Sequence, residues 1–221
     1  MKKMLNRYVL TDEIYSLLKD RILNHDIAPG DKINIDQLGR DLEVSNIPIR
    51  EALSRLAAEG LVDNVPFKGM YVAKMSLQEL DEMFELRMEL EGLAIRKAAS
   101  RIPVSELEKL QSEMQRHSNV EIAETEERIQ FVADMNRGLH GLILEYCNNE
   151  SLKNLVEMYI EKIQRYLSMC RKDLGQKLIH DEWDEHMLIV RQLINKDIQA
   201  AEQALKRHLE NSYKRTREFF V

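Results

Sequence analysis

The feature that most constrains this chain is where its helix breakers stand. Three of the four prolines (Pro29, Pro48 and Pro66) lie in the first third of the 221 residues, together with the turn glycines Gly30, Gly60 and Gly69. Beyond Ser76 only Pro103 interrupts a chain whose apolar residues recur at helical spacing to its end. A turn-rich first section followed by long unbroken helices predicts two domains, residues 1–75 and 76–221.

In the first section, Ile14, Leu17, Leu18 and Ile22 share one face of a helix over residues 11–24, and Pro29-Gly30 turns the chain after it. Leu38 and Leu42 mark a short second helix over 35–42. Ser45 or Asn46 can cap a third, whose first turn tolerates Pro48, whose apolar face is Ile49, Leu53, Leu56 and Ala57, and which Gly60 stops. Leu61-Val62 and Met70-Tyr71-Val72 then read as two short strands around the turn Val65–Gly69. Helix, helix, turn, helix, hairpin is a winged helix-turn-helix arrangement. In the second section Ser76-Leu77-Gln78-Glu79 has the form of a capping box. Helices are expected from there to about 101, and then at 104–117, 121–147, 150–173, 176–195 and 197–219. Six amphipathic helices with short connections make an all-α bundle, so the fold class is mainly α with one small β-hairpin.

Composition narrows the function. With 44% hydrophobic residues the chain can bury a core, and no apolar run is long enough to span a membrane, so no membrane partner is expected. Two cysteines, Cys147 and Cys170, are too few for a disulfide framework, which fits a reduced, cytoplasmic setting. The net charge of −6 excludes a chain coated in nucleic acid. Residues 1–74 nevertheless balance at 11 basic and 11 acidic residues, and a neutral segment can still present a local basic face. The Met residues, among them Met83, Met88, Met135, Met158, Met169 and Met187, read as core packing, and the acidic run Glu124–Glu127 as a solvated helix face.

The segment VSNIPIREALSRLAAEGLVDNVPFKGMYVA, with the preceding IYSLLKDRILNHDIAPGDKI, strongly resembles the GntR family of bacterial transcription regulators over about residues 11–73. The resemblance implies that the third helix enters a major groove. Ser45, Asn46 and Ile47 stand at its N-terminal end and Arg50 one turn later, where an arginine can pair bidentately with guanine. Lys68 and Gly69 sit at the hairpin tip, placed to meet a minor groove or phosphates. The alternative for Arg50 is a surface ion pair with Glu43 or Glu51. Asp36 and Asn46 stand where the family commonly carries arginine, and Ile47 where Thr is common. Asn46 could instead read adenine, or the affinity for DNA could be weak.

The stretches LRMELEGLAIRKAA, NRGLHGLILEYCNNESL and EHMLIVRQLINKDIQAAEQALKRHL resemble the FadR-type branch, whose C-terminal domain is a helical effector-binding and dimerising bundle. Many members of that branch hold a divalent metal there, and the matching positions are Asn136, His140, His186 and His208. The spacing agrees, since residues 136 and 140 share a helix face one turn apart. Three imidazoles suit Zn or Ni. Asn136 supplies less charge than the family's carboxylate; Asp134 or Glu185 could substitute, though neither has the expected register. Each histidine taken alone reads as a satisfied interior residue, whereas the set in these registers reads as metal ligands. His25, His117 and His180 match no ligand position and read as loop or surface residues. Arg87 either faces inward and grips the carboxylate of a small organic acid, as the resemblance implies, or is an exposed partner of Glu91.

The expected function is a ligand-responsive, DNA-binding transcription regulator, a repressor, acting as a homodimer on a palindromic double-stranded operator, and not an enzyme. Its C-terminal domain would hold a divalent metal and a small organic acid effector. The alternatives are a direct metal sensor without an organic effector, a metal-dependent hydrolase, and a dimerisation module with a decayed DNA head.

Overall fold

The structure, a computed structural model, describes residues 7–116, 125–170 and 176–218. His117, Glu124, the predicted helix start at 121 and the predicted helix end at 173 lie outside the described residues, as do the side chains of Met169 and Cys170. The chain divides into two compact units. One runs to Ser76 and takes in Glu161–Ser168; the other comprises Leu77–Ile160 and the chain from Met169 onward.

The first unit contains α1 (Arg7–Leu23), α2 (Ile35–Asp41), α3 (Asn46–Ala58), β1 (Val62–Val65) and β2 (Gly69–Val72). Helix α1 starts four residues before the predicted boundary because Leu10 adds another apolar contact on the same core. Ile14, Leu18 and Ile22 of α1 pack against Ile49, Leu53 and Leu56 of α3, and Leu61, Val62, Met70 and Val72 close the cluster from the hairpin. Each such side chain contributes about 1.5–3 kcal/mol on burial. Asn34 caps α2, its Oδ1 accepting from the Gln37 N–H at 3.0 Å. Gly39 lets α2 come close to the start of α3: a β-carbon there would sit 2.8 Å from Asn46 Oδ1 and 3.2 Å from Val44 O. The strands pair antiparallel, Val62 opposite Val72 and Val65 opposite Gly69. Within the same unit, Lys19 pairs with Glu161 at 2.8 Å, and the Ser76 N–H donates to Tyr166 Oη at 3.1 Å.

The second unit is built from α4 (Leu77–Ala98), α5 (Val104–Arg116), α6 (Thr125–Tyr146), α8 (Gln176–Ile194) and α9 (Ile198–Glu218), with the first part of α7 (Glu150–Cys170). Helix α4 packs on α6 and α9, and α8 on α9, α5 and α6. Ala94, Ile95 and Ala98 of α4 meet Leu139 and Ile143 of α6, Ile189 and Val190 of α8, and Leu205 and Leu209 of α9. The core holds Met135 and Met187, with Met88 packed against it, while Met83 is buried and Met158 half-buried. The mainly α fold with a single small hairpin is thus the observed one. No helix among the described residues is long and apolar enough to cross a membrane.

Because Leu53 is fully enclosed between α1 and α3, Leu53→Ala should cost about 3 kcal/mol of stability. Urea unfolding checks this through a lower midpoint at an unchanged m value; an unchanged midpoint would show that this core is not packed as described.

Candidate metal centre and DNA-reading face

Four helices of the second unit turn polar groups into one region of its apolar interior. Helix α4 supplies Arg87 and Glu91, α6 supplies His140, α8 supplies Glu182, Glu185 and His186, and α9 supplies His208, Asn211 and Arg215. His140, His186 and His208 are essentially inaccessible, and one ring nitrogen from each lies within 4.8 Å of the others. The ring centroids of His140 are 5.4 Å from His186 and 5.3 Å from His208, and the latter two are 4.4 Å apart. Three histidines that the sequence spreads over three helices therefore meet.

Carboxylates behind two of the rings set their orientation. His140 Nδ1 donates to Glu91 Oε2 at 2.5 Å, and His208 Nδ1 donates to Glu185 Oε2 at 2.7 Å. With the proton on Nδ1, each Nε2 keeps its lone pair. His208 Nε2 faces His186 Nε2 at 3.1 Å, while His140 Nε2 and His186 Nδ1 are buried with no hydrogen-bond partner. A buried, unpartnered imidazole nitrogen beside two others is a donor set without an acceptor. A divalent cation fits it, and a carboxylate holding the rear nitrogen is the usual support for a metal-bound histidine.

Each carboxylate is itself held. Glu91 Oε1 accepts from Arg87 Nε. Glu185 accepts from Asn211 Nδ2 at 2.7 Å and from Arg215 Nη1 and Nη2 at 3.0 and 3.1 Å, and Arg215 Nη2 also reaches Glu182 at 3.1 Å. Burial alone would raise the Glu91 carboxyl, but the Arg87 charge and His140 outweigh it and bring it down to about 2. Burial likewise works against the Glu185 carboxylate, and the hydrogen bonds from His208 and Arg215 overcome it, again to about 2. Burial pushes His186 well below its ordinary value, helped by its two histidine neighbours, and lowers His140 against the pull of Glu91. These rings stay neutral, as metal ligands must.

The other expected residues fall as follows. Asn136 is half-buried one turn before His140, but its Nδ2 turns back on its own helix and donates to Val132 O at 3.0 Å. Asp134 is exposed and pairs with Arg137, and Glu185 stands behind His208 as its hydrogen-bond acceptor. Arg87 combines both sequence alternatives: it is the i,i+4 partner of Glu91, yet only 5% exposed. Among the described residues its terminal Nη1 and Nη2 make no hydrogen bond. His25 accepts a left-handed backbone after α1 and bonds the Arg165 carbonyl through Nε2 at 2.8 Å, and His180 is exposed. Glu182 and Arg215 carry no signal in the sequence, and Glu91 stands out there only as a possible partner of Arg87. An Arg and a Glu four apart on a helix carry no sign of which way they face.

On the first unit, Ser45 occupies the N-cap of α3 without a side-chain capping bond, and Ile47 and Arg50 project from its exposed face. Arg50 has no hydrogen bond or ion pair among the described residues, so neither Glu43 nor Glu51 holds it. Asn46 is tied down, its Nδ2 donating to Asp36 Oδ1 at 2.7 Å. Lys68 is exposed at the hairpin tip, and Gly69 takes φ +105°, which suits glycine.

Comparison with known proteins bears on both units. Residues 82–211 match the FCD domain, and residues 10–72 match the bacterial regulatory proteins of the gntR family. The HTH-type transcriptional repressor GlaR of Escherichia coli (strain K12) is 27% identical over 198 residues, spanning 88% of this chain and 90% of that one. The HTH-type transcriptional regulator YdhC of Bacillus subtilis (strain 168) is 27% identical over 203 residues, spanning 89% and 86%. The fold of E. coli McbR/YncC superposes with a TM-score of 0.77 at 20% identity, covering 99% and 100% of the two chains.

The depressed groups predict how stability varies with pH. Neutral buried histidines cost stability as pH falls below about 6.5, where the unfolded chain takes up protons first. Glu91 and Glu185 contribute fully above about 4.5 and lose that contribution as pH falls toward about 2. Urea unfolding of the metal-free protein from pH 7 to pH 3 should show a continuous decline, with a shallower slope below pH 4.5 for Glu185→Gln. An identical slope in that variant would mean that Glu185 is not held as described.

Proposed function

The chain belongs to the gntR family of bacterial regulatory proteins, in the branch that carries an FCD domain, and its relatives are transcription regulators rather than enzymes. From that premise we propose that it is a homodimeric repressor that leaves a palindromic operator when its C-terminal domain takes up a small organic acid. The observation that carries the effector side is the meeting of three buried histidine nitrogens, two of them aimed from behind by carboxylates. His140, His186 and His208 would hold a Zn- or Ni-like cation, with Asn136 one turn away as a fourth donor once its amide rotates. The cation supplies a Lewis-acidic anchor for a carboxylate. Arg87 offers its two free guanidinium nitrogens to the same ligand, and Glu91 joins the two halves of the site by bridging Arg87 and His140. The relative GlaR, described as a repressor, supports the sign of regulation. A two-fold dimer calls for two-fold DNA, and a regulator of genes works in the cytoplasm of a bacterium.

At the DNA, Ser45, Ile47 and Arg50 form the reading end of α3, with Lys68 and Gly69 on the wing. Asn46 joins them only where Asp36 releases it. An effector acts by binding one arrangement of the dimer better than another. A direct metal sensor is the second reading, favoured by the fact that Arg87 Nε is already engaged by Glu91.

The test begins with a duplex enriched from a random-sequence pool by the intact protein. Dialysis against Zn²⁺ or Ni²⁺ should load one ion per chain, and His140→Ala and His208→Ala should each weaken loading at least tenfold. A panel of small carboxylic acids should then release the duplex from the loaded protein and not from Arg87→Ala. Release by metal alone would favour the sensor; no ion bound would remove the proposed site. On the DNA side, Arg50→Ala should weaken binding by about 1–3 kcal/mol. Asp36→Ala should strengthen it by roughly threefold to tenfold at low salt, by removing a carboxylate near the phosphates and freeing Asn46. Gel shifts read both, and a weaker Asp36→Ala complex would contradict this assignment.

A further inference from the structure

The wing carries a side chain that its own fold does not ask for. The Lys68 N–H donates to Val65 O at 3.0 Å, closing a turn whose central residues are Pro66 and Phe67. Proline at the second position and φ +63° at the third define a type II turn, and the third position of that turn is ordinarily glycine or asparagine. Here it is phenylalanine, fully exposed, with no ring partner among the described residues. A single apolar side chain on a surface is unremarkable. One kept at a left-handed position that strains its own backbone is not, because any glycine would relieve the strain. Phe67 serves neither the turn nor the core.

We propose that Phe67 is a wedge, which the wing inserts between neighbouring base pairs in the minor groove to unstack one step and bend the duplex. This rests on the DNA-binding reading above. The narrow two-stranded tip presents the ring between exposed Pro66 and exposed Lys68. Two cations stand at the same hairpin end: Lys68 follows Phe67 in the chain, and Lys32, whose Nζ lies 6.0 Å from the Tyr71 ring centroid, has its Cε 3.6 Å from where a β-carbon on Gly69 would stand. An apolar ring near two lysines at one hairpin tip matches a minor groove bounded by phosphate rows, and minor-groove proteins kink DNA with apolar wedges accompanied by cations. The lysines supply the salt-dependent attraction, while the ring supplies a term independent of salt.

The test uses the full chain and the palindromic duplex enriched by the wild-type protein, with dyes at its two ends to read bending. Phe67→Asn and Phe67→Gly both fit the left-handed turn. They should raise the thermal midpoint of the protein by about 2–4 °C. The same variants should bind the duplex roughly 5–20-fold more weakly and bend it less, with the slope of affinity against salt unchanged. Phe67→Leu should retain the bend, and Lys68→Ala should lower the salt slope by about one per head while leaving the bend in place. Opposite signs in stability and binding separate a wedge from a packing residue, which would lose both. Wild-type binding matched in affinity and bend by Phe67→Asn would overturn the wedge and leave the DNA reading intact. A wild-type protein that enriches no duplex would overturn both. A change in oligomeric mass in Phe67→Asn would assign the ring to protein association instead.

Discussion

Taking ionisable groups out of water is costly, and the helical domain does so at its centre. Glu91, Arg87, His140, His186, His208 and Glu182 are all buried within a shell of leucine, isoleucine and alanine. Such a cluster persists only when nearly every charge finds a partner. Helices α4, α6, α8 and α9 must therefore keep a common register: Glu91 has to meet His140 across 49 residues of chain, and Arg215 has to meet Glu185 across 30. The polar network thereby sets the geometry of the apolar core around it. Among the described residues, what remains without a hydrogen-bond partner in the network is one nitrogen each of His140 and His186, an oxygen of Glu182, the Nε of Arg215 and the terminal nitrogens of Arg87.

The two carboxylates explain why the histidines are preorganised. An imidazole that lacks an acceptor behind it can exchange tautomers and lose its aim. With Glu91 and Glu185 in place, His140 and His208 present Nε2 before any ligand arrives, and the cost of ordering was met during folding. The chain of contacts from Arg87 through Glu91 to His140 also joins a guanidinium to an imidazole within one network, so a ligand that draws on one perturbs the other. The DNA-reading domain follows a different logic. Lys19 and Arg55 are held in ion pairs, whereas Arg50 and Lys68 are exposed and their side chains unpaired among the described residues, and Asn46 donates to Asp36.

Much of this was legible in the sequence. Apolar periodicity placed the helices of the bundle within a few residues of their observed ends where the predicted ends lie among the described residues, and the Pro and Gly spacing placed the hairpin. Helix ends were less legible because His25, Glu43, Asn148 and Lys196 adopt the left-handed conformation after their helices without being glycine. The histidines could be grouped only through a resemblance, since no spacing rule brings residues 140, 186 and 208 together. Their supporting carboxylates were harder still. Glu91 one turn from Arg87, and Glu185 beside His186, look like ordinary surface residues until the bundle shows which side of each helix is buried. Phe67 was passed over as part of a turn because its backbone angle is not written in its identity.

The direction in which the ring nitrogens point decides what the histidine cluster can hold. Long-range nitrogen–proton NMR of the metal-free protein, labelled at histidine, reads the tautomer of each ring directly. The hydrogen bonds to Glu91 and Glu185 require His140 and His208 each to carry a proton on Nδ1, and Glu91→Ala and Glu185→Ala to release one ring each. Nδ1 atoms without a proton on both histidines in the wild-type protein would contradict it.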